Sequence, residues 1–500
     1  MCLELRPRVP PSSTRCLLAL LALLTLVAAC TAAPTGRAVD RLRPCTSAEG
    51  PTDALCGTLK VFENRETRSG RQIDLWIVVL PALGSVPLDD PLVFLAGGPG
   101  QGAAQLASQV DDVFRRVLRT RDIVLVDQRG TGHSNPLNCR SDSSSLQELT
   151  EGAEAALARL RRCLDRYDAD VRLYTTDIAM DDLDEVRAFL GYEKVNLYGG
   201  SYGTRAALVY LRQHGEHVRS MVLDGVAPTD MRLPLFTARD AQRALDALLV
   251  DCDRDAACRR AFPGLASRIR MLMARLEHHP PRVRIAHPRT GIAEDVTVDA
   301  RLVASVLFTA LYSPLTASIV PALVDGAERD DFHGLFALGL SNDDGGENMS
   351  IGMQLSVLCS EDASRVTLDE LSRETATTVF GSHLVGSQLD ACAMWPKRTL
   401  DAAYYSPIVS DVPTLVLSGE LDPVTPPGWG EAVVKHLSRG RHIAVPATGH
   451  GVVTTPCGNR LVNDFIEDGT VDGLDTDCVA SVRRPPFFIS PAGPDPSLSR

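Results

Sequence analysis

Ser201 has glycines on both sides, in Gly199-Gly200-Ser201-Tyr202-Gly203. An apolar run, Lys194 to Tyr198, leads into it, and a helical pattern, Thr204 to Gln213, leads away. A serine in this G-x-S-x-G setting is positioned to attack a carbonyl carbon. The glycines permit the sharp, strained turn that lifts the hydroxyl above a sheet. The helix behind it offers backbone N–H groups and a positive dipole end to a developing oxyanion. Gly-Ser-Gly turns are also ordinary loop chemistry; the strand before and the helix after set this one apart.

A serine hydroxyl is a weak nucleophile until a base takes its proton. Of eleven histidines, His450 in Ala447-Thr-Gly-His-Gly451 follows an apolar run, 442–445, by one short loop. His278 and His279 sit at the end of a helical pattern, and His214 and His217 follow the helix behind Ser201. Position favours His450. An acid must then orient the imidazole and stabilise its charged form. Asp422, in Ser418-Gly-Glu-Leu-Asp-Pro-Val-Thr425, follows the run 414–417 by one tight turn. Glu420, and Asp224 after the run 218–223, are the alternatives. An oxyanion hole takes one backbone N–H from the residue after the nucleophile, here Tyr202. The second is expected from the loop Ala96-Gly-Gly-Pro-Gly-Gln-Gly102. Pro99 has no N–H, which leaves Gly98.

These loops need a scaffold, and the apolar runs supply it. Ile73 to Leu80, Pro91 to Leu95, Asp122 to Val126, Lys194 to Tyr198 and Val218 to Leu223 alternate with helical stretches such as Glu154 to Tyr167 and Thr176 to Leu190. Short apolar runs ending in glycine-rich turns predict a buried, mostly parallel sheet in an α/β fold. Helical patterns dominate from about 230 to 405, at Ala238 to Val250, Leu265 to His278 and Arg301 to Tyr312. Beyond Asp411 the strand pattern returns at Thr414 to Leu417 and His442 to Val445. The expected order is a leader over 1–29, a linker over 30–56, a core over 57–229, an inserted helical lid over 230–405 and the rest of the core over 406–500. Such a lid would sit over the carboxyl ends of the strands, where open sheets bind ligands.

The leader has Arg6, Arg8 and Arg15 ahead of thirteen residues, Leu17 to Ala29, that are apolar except for Thr25. A bilayer span takes about 20 residues, so this run reads as the apolar region of an export signal. Val27-Ala28-Ala29-Cys30 resembles a lipobox, which would lipidate Cys30 and make it the mature N-terminus. Plain cleavage a few residues later, as after Ala33, is the other reading, and both export the chain. The formal charge of −12 becomes more negative on losing three arginines and one glutamate. With no dense basic patch, nucleic acid is excluded as a partner. The leader holds Cys2 and Cys16 of thirteen cysteines. With Cys30 lipidated, ten remain, and an even number in an exported chain predicts disulfides. Nearest-neighbour pairing closes the shortest loops: 45–56, 139–163, 252–258, 359–392 and 457–478. No CxxC pair and no HExxH motif occurs, so no metal or cofactor is implied.

Taken together, Gly97-Gly-Pro-Gly100, Asp127-Gln-Arg-Gly-Thr-Gly-His133-Ser134, Gly199-Gly-Ser-Tyr-Gly203 and Gly419-Glu-Leu-Asp422 resemble the proline iminopeptidases, and more closely the exported tripeptidyl-aminopeptidase-like branch of the α/β hydrolases. The order Ser201, Asp422, His450 is that of the α/β hydrolases. Ala96 departs from many relatives, which have His before the Gly-Gly-Pro-Gly; a hole built from backbone donors tolerates this. Cys359-Ser-Glu-Asp362 and Cys392-Ala-Met-Trp395 are similar to the C-terminal part of the branch. The resemblance implies a serine aminopeptidase acting on a peptide with a free N-terminus. Such an enzyme needs an anionic clamp for the α-amine. Glu361, with Asp362 beside it, is a candidate, and a solvated acidic pair on a lid loop is the plain alternative. An esterase or lipase using the same triad is the first rival. A binding protein on a dead hydrolase scaffold is the second, disfavoured by the intact set of residues. Serine at the elbow excludes dehalogenase and epoxide-hydrolase chemistry, which would want Asp there.

Overall fold

The computed structural model describes residues 41–46, 53–139, 144–341, 349–490 and 492–495. The leader, Cys30 and most of the linker lie outside the described residues. Among the described residues nine strands form one sheet, in the order β1-β2-β3-β5-β4-β6-β7-β10-β11. They are β1 (Arg43–Thr46), β2 (Asp53–Phe62), β3 (Gln72–Leu80), β4 (Leu92–Leu95), β5 (Ile123–Val126), β6 (Val195–Gly200), β7 (Val218–Asp224), β10 (Thr414–Gly419) and β11 (Gly440–Val445). From β5 to β11 every neighbouring pair is parallel; β1, β2 and β3 add an antiparallel edge. The chain therefore has the α/β-hydrolase architecture, with its first two strands, β1 and β2, falling at or before the expected start of the core.

Both faces of the central strands are covered, which explains their unbroken apolar runs. Val93, Leu95, Val124 and Val126 point to one side, against the helices Thr176–Leu190 and Tyr202–His214. Leu92, Ile123 and Leu125 point to the other, against Ala107–Val113 and Pro456–Asp468. The alternation is the two-residue period of a strand.

Between β7 and β10 the chain builds a second layer of helices and one hairpin, β8 (Arg282–Ala286) with β9 (Ala293–Thr297). Its first part has its own core, from Ala238 through Leu340, joined by Leu146 and Phe487 from far along the chain. Its second part, around Met353 to Trp395, packs instead on Leu137, Tyr174 and Tyr202 of the sheet domain. Among the described residues five disulfides follow the nearest-neighbour pairing: Cys45–Cys56, Cys139–Cys163, Cys252–Cys258, Cys359–Cys392 and Cys457–Cys478. Disulfides in this number belong to an oxidising compartment. No helix among the described residues is long and apolar enough to cross a membrane.

Strand register brings the reactive loops level. Leu95 pairs with Gly199, Gly200 with Asp224, Asp224 with Leu417, and Gly419 with Val445. The loops after β4, β6, β7, β10 and β11 therefore open at one edge, the carboxyl end of the sheet.

Candidate active site

Ser201 sits at the turn from β6 into the helix Tyr202–His214 with φ 56° and ψ −123°. A non-glycine residue holds that conformation only when its surroundings force it. Ser201 N donates to Asp224 O at 2.9 Å, and the Ser201 carbonyl accepts from Thr204 N and Thr204 Oγ1 at 2.9 and 2.6 Å. A Cβ on Gly203 would lie 2.1 Å from the Leu95 carbonyl, so no larger residue lets the helix approach β4 this closely.

The glycine loop after β4 overhangs the serine; a Cβ on Gly97 would stand 3.3 Å from Ser201 Cβ. Gly98, the expected second oxyanion donor, lies exposed at φ +108°, and Tyr202 begins the helix with its ring buried. The Asp127 carboxylate braces the loop, accepting from Ala104 N and from His133 N, each at 2.9 Å. On the far side Ser350 N donates to Gly100 O at 2.9 Å.

His450 Nδ1 lies 2.7 Å from Asp422 Oδ2. Asp422 is fully buried; Val424 N and Thr425 N donate to its Oδ1 at 2.8 and 2.9 Å, and Thr425 Oγ1 to its Oδ2 at 2.7 Å. Burial works against the Asp422 charge, but the neighbouring His450 and these donors outweigh it and hold the carboxyl below its ordinary range. Burial also opposes a charged His450, and attraction to Asp422 outweighs it, raising the imidazole above its ordinary range. An imidazole so placed can take a proton and hold it.

Neither alternative acid contacts the imidazole by hydrogen bond. Glu420 is exposed. Asp224 is buried and accepts from Val452 N, Val453 N and Tyr198 OH at 2.8, 2.8 and 2.9 Å. It thus anchors the segment that follows His450. His214 and His217 pair with Asp181 and Asp184 on the helix Thr176–Leu190.

Three further contacts hold the base and the acid in place. Thr425 Oγ1 lies 3.2 Å from His450 Nδ1. Arg243, on a lid helix, donates to the carbonyls of Glu420 and Asp422 at 2.7 and 2.6 Å. Tyr312, also from the lid, accepts from His450 N at 2.8 Å and sets its ring edge-on to the imidazole at 5.2 Å. Thr425 was legible as a neighbour of Asp422; the two lid contacts join residues too far apart in sequence to be paired.

Glu361 and Asp362 meet a different setting from either expectation. Both are fully buried, which rules out a solvated pair. Glu361 accepts from Thr176 N at 2.7 Å and Tyr404 OH at 2.5 Å, with Arg205 at 3.4 Å. Asp362 pairs with Arg205 at 2.7 Å and Arg365 at 2.9 Å. Every carboxylate oxygen has an internal partner, and neither residue lines the cavity at Ser201. An α-ammonium has no free carboxylate to meet there. The pair instead ties the lid to the helix that begins at Tyr202, whose hydroxyl lies 2.8 Å from Thr176 Oγ1.

Ser201 and His450 open into a cavity of about 220 Å³ lined by Phe94, Leu106, Val113, Phe114 and Tyr198. A serine, an imidazole on a buried carboxylate and a glycine loop at one apolar mouth suit acyl transfer.

Residues 90–256 match a family model described as the alpha/beta hydrolase fold, and residues 377–478 one described as TAP-like protein. The chain is 27% identical to the serine protease Hip1 of Mycobacterium tuberculosis, over 87% of this chain and 90% of the relative. It is 25% identical to a tripeptidyl aminopeptidase of Streptomyces lividans, over 86% and 84%. A carboxylesterase B of Mycobacterium tuberculosis is 26% identical over 85% and 86%.

Proposed function

We propose that this α/β hydrolase, a serine enzyme with a TAP-like C-terminal region, is an exported aminopeptidase that removes residues or short peptides from free N-termini. The hydrogen bond of 2.7 Å between a buried Asp422 and His450, at the mouth shared with Ser201, carries the reading. In this mechanism His450 takes the Ser201 hydroxyl proton as Oγ attacks the scissile carbonyl carbon. Asp422 fixes the tautomer and steadies the imidazolium. The Gly98 and Tyr202 N–H groups receive the oxyanion. The C–N bond then breaks, with the imidazolium giving its proton to the leaving amine. Water, deprotonated by His450, releases the acyl group and restores Ser201.

Relatives named serine protease and tripeptidyl aminopeptidase support a peptide substrate. An esterase remains the second reading, favoured by the apolar wall of Phe94, Phe114 and Tyr198 and by the relative named carboxylesterase B. The leader pattern and the five disulfides support a periplasmic or cell-surface location, with Cys30 as a lipid anchor. Matched chromogenic panels decide the substrate. One panel holds free-amine aminoacyl, dipeptidyl and tripeptidyl amides; the other holds their N-acetylated twins and simple esters. Turnover confined to free-amine amides is expected and gives the step length. Preference for acetylated or ester substrates transfers the function to the esterase reading.

A further inference from the structure

A second cavity, of about 600 Å³, shares His450, Gly451 and Thr454 of its lining with the first. It contains neither Ser201 nor any residue of the glycine loop. Its volume is in the range of small-ligand pockets, about 300–1,000 Å³. It runs between the lid segment at Tyr312 to Leu315 and the C-terminal segment at Cys478 to Pro485. Besides His450, its only charged lining residues among those described are Arg460 and Arg483; no Asp or Glu faces it.

Both guanidiniums have capacity to spare. Arg483 is exposed and donates only to the carbonyls of Ala480 and Val482, each at 2.8 Å. Among the described residues no carboxylate reaches it. Arg460, its side chain partly exposed, has one ion pair, from Nη2 to the exposed Asp475 at 3.3 Å; its Nε and Nη2 are buried and have no hydrogen-bond partner among the described residues. In a chain of formal charge −12, a cavity lined by two arginines and no acid is a local reversal of sign.

Chemistry fixes which end of a substrate lies here. The imidazole hands its proton to the leaving amine, so the leaving segment departs along His450 and away from the oxyanion loop. We propose that this cavity is the leaving-group subsite and that Arg460 and Arg483 recognise a carboxylate on the leaving segment. The inference rests on the peptidase reading. The carboxylate has two sources, the α-carboxylate of a short peptide or an acidic side chain of a longer one. Either meets planar, bidentate donors.

The test uses alanine-rich free-amine peptides of four to eight residues, each made as C-terminal acid and as carboxamide. A further carboxamide set has one Asp on the leaving side. The acid or Asp form is expected to exceed its neutral twin in kcat/KM by about fivefold, through KM, with the gap narrowing as salt rises. Dependence on peptide length identifies the α-carboxylate; dependence on Asp position identifies the side chain. The double variant Arg460→Gln, Arg483→Gln should bring the ratio close to one, and Arg460→Lys, Arg483→Lys, which keeps the charge and loses the planar fork, should give a ratio between that and the native one. Equal kcat/KM for charged and neutral twins throughout, or a ratio that survives the Gln pair, overturns the subsite while leaving the peptidase intact. Hydrolysis of esters and of no peptide overturns both.

Discussion

Replacing Asp422 and Asp224 by Asn, one at a time, separates the acid that orients the base from the acid that holds its loop. In Asp422→Asn the amide faces His450 Nδ1 across 2.7 Å and imposes the wrong tautomer. In serine proteases that change lowers kcat by about 10⁴, or roughly 5.4 kcal/mol of barrier. The fold should survive, because the amide oxygen can still accept from Val424 N and Thr425 N. Asp224→Asn acts elsewhere. Its Oδ1 accepts from Val452 N and its Oδ2 from Val453 N and Tyr198 OH, and an Asn side chain keeps only one of the two acceptor oxygens. One hydrogen bond to a charged group, worth about 1.5–3 kcal/mol, is lost. That cost appears as a lower Tm and as misplacement of His450, with kcat reduced by about 10- to 100-fold. The assay is kcat/KM against pH on a cleaved anilide, with melting of each variant alongside. Equal losses in the two variants, or an Asp422→Asn enzyme within tenfold of the native one, would refute the assignment of Asp422 as the orienting acid.

Further outcomes follow from the same geometry. Acylation needs neutral His450, and its folded pKa is raised, so kcat/KM should climb with a midpoint above the ordinary imidazole value of about 6.5 and fall away as pH drops through it; a profile centred below that value contradicts the Asp422 pairing. Arg205→Met strands two buried carboxylates and should cost about 3–5 kcal/mol by denaturant unfolding. Glu361→Gln should lower stability and leave the preference for free over acetylated amines in place; selective loss of free-amine turnover would restore the clamp. Gly203→Ala forces a Cβ against the Leu95 carbonyl and should prevent soluble expression or lower Tm sharply, whereas Gly428→Ala, with open space around its Cβ, should do neither.

Much of the scaffold was legible because the buried strands are short apolar runs with glycine at their ends, as in β4, β5, β6 and β10. The strands that escaped notice are half-exposed. β2 alternates irregularly through Cys56-Gly57-Thr58 and carries Lys60, and β8 and β9 each bury only one residue fully. Ser201, Asp422 and His450 could be singled out because each follows a strand by one turn. The lid contacts could not: nothing near Tyr312 or Arg243 in the sequence shows that the loops of His450 and Asp422 lie across from them. The same blindness affected Glu361 and Asp362. Cys-Ser-Glu-Asp reads as an exposed acidic turn until Arg205, more than 150 residues earlier, is seen packed against it.

One measurement bears most directly on the central claim. A ten-residue peptide with a free N-terminus and its N-acetylated twin are each incubated with the mature protein and with Ser201→Ala, and products are followed by mass spectrometry over time. The account predicts a ladder shortened only from the N-terminus, for the free peptide and the native enzyme alone. Internal cuts, a ladder from the acetylated twin, or products from Ser201→Ala would contradict it.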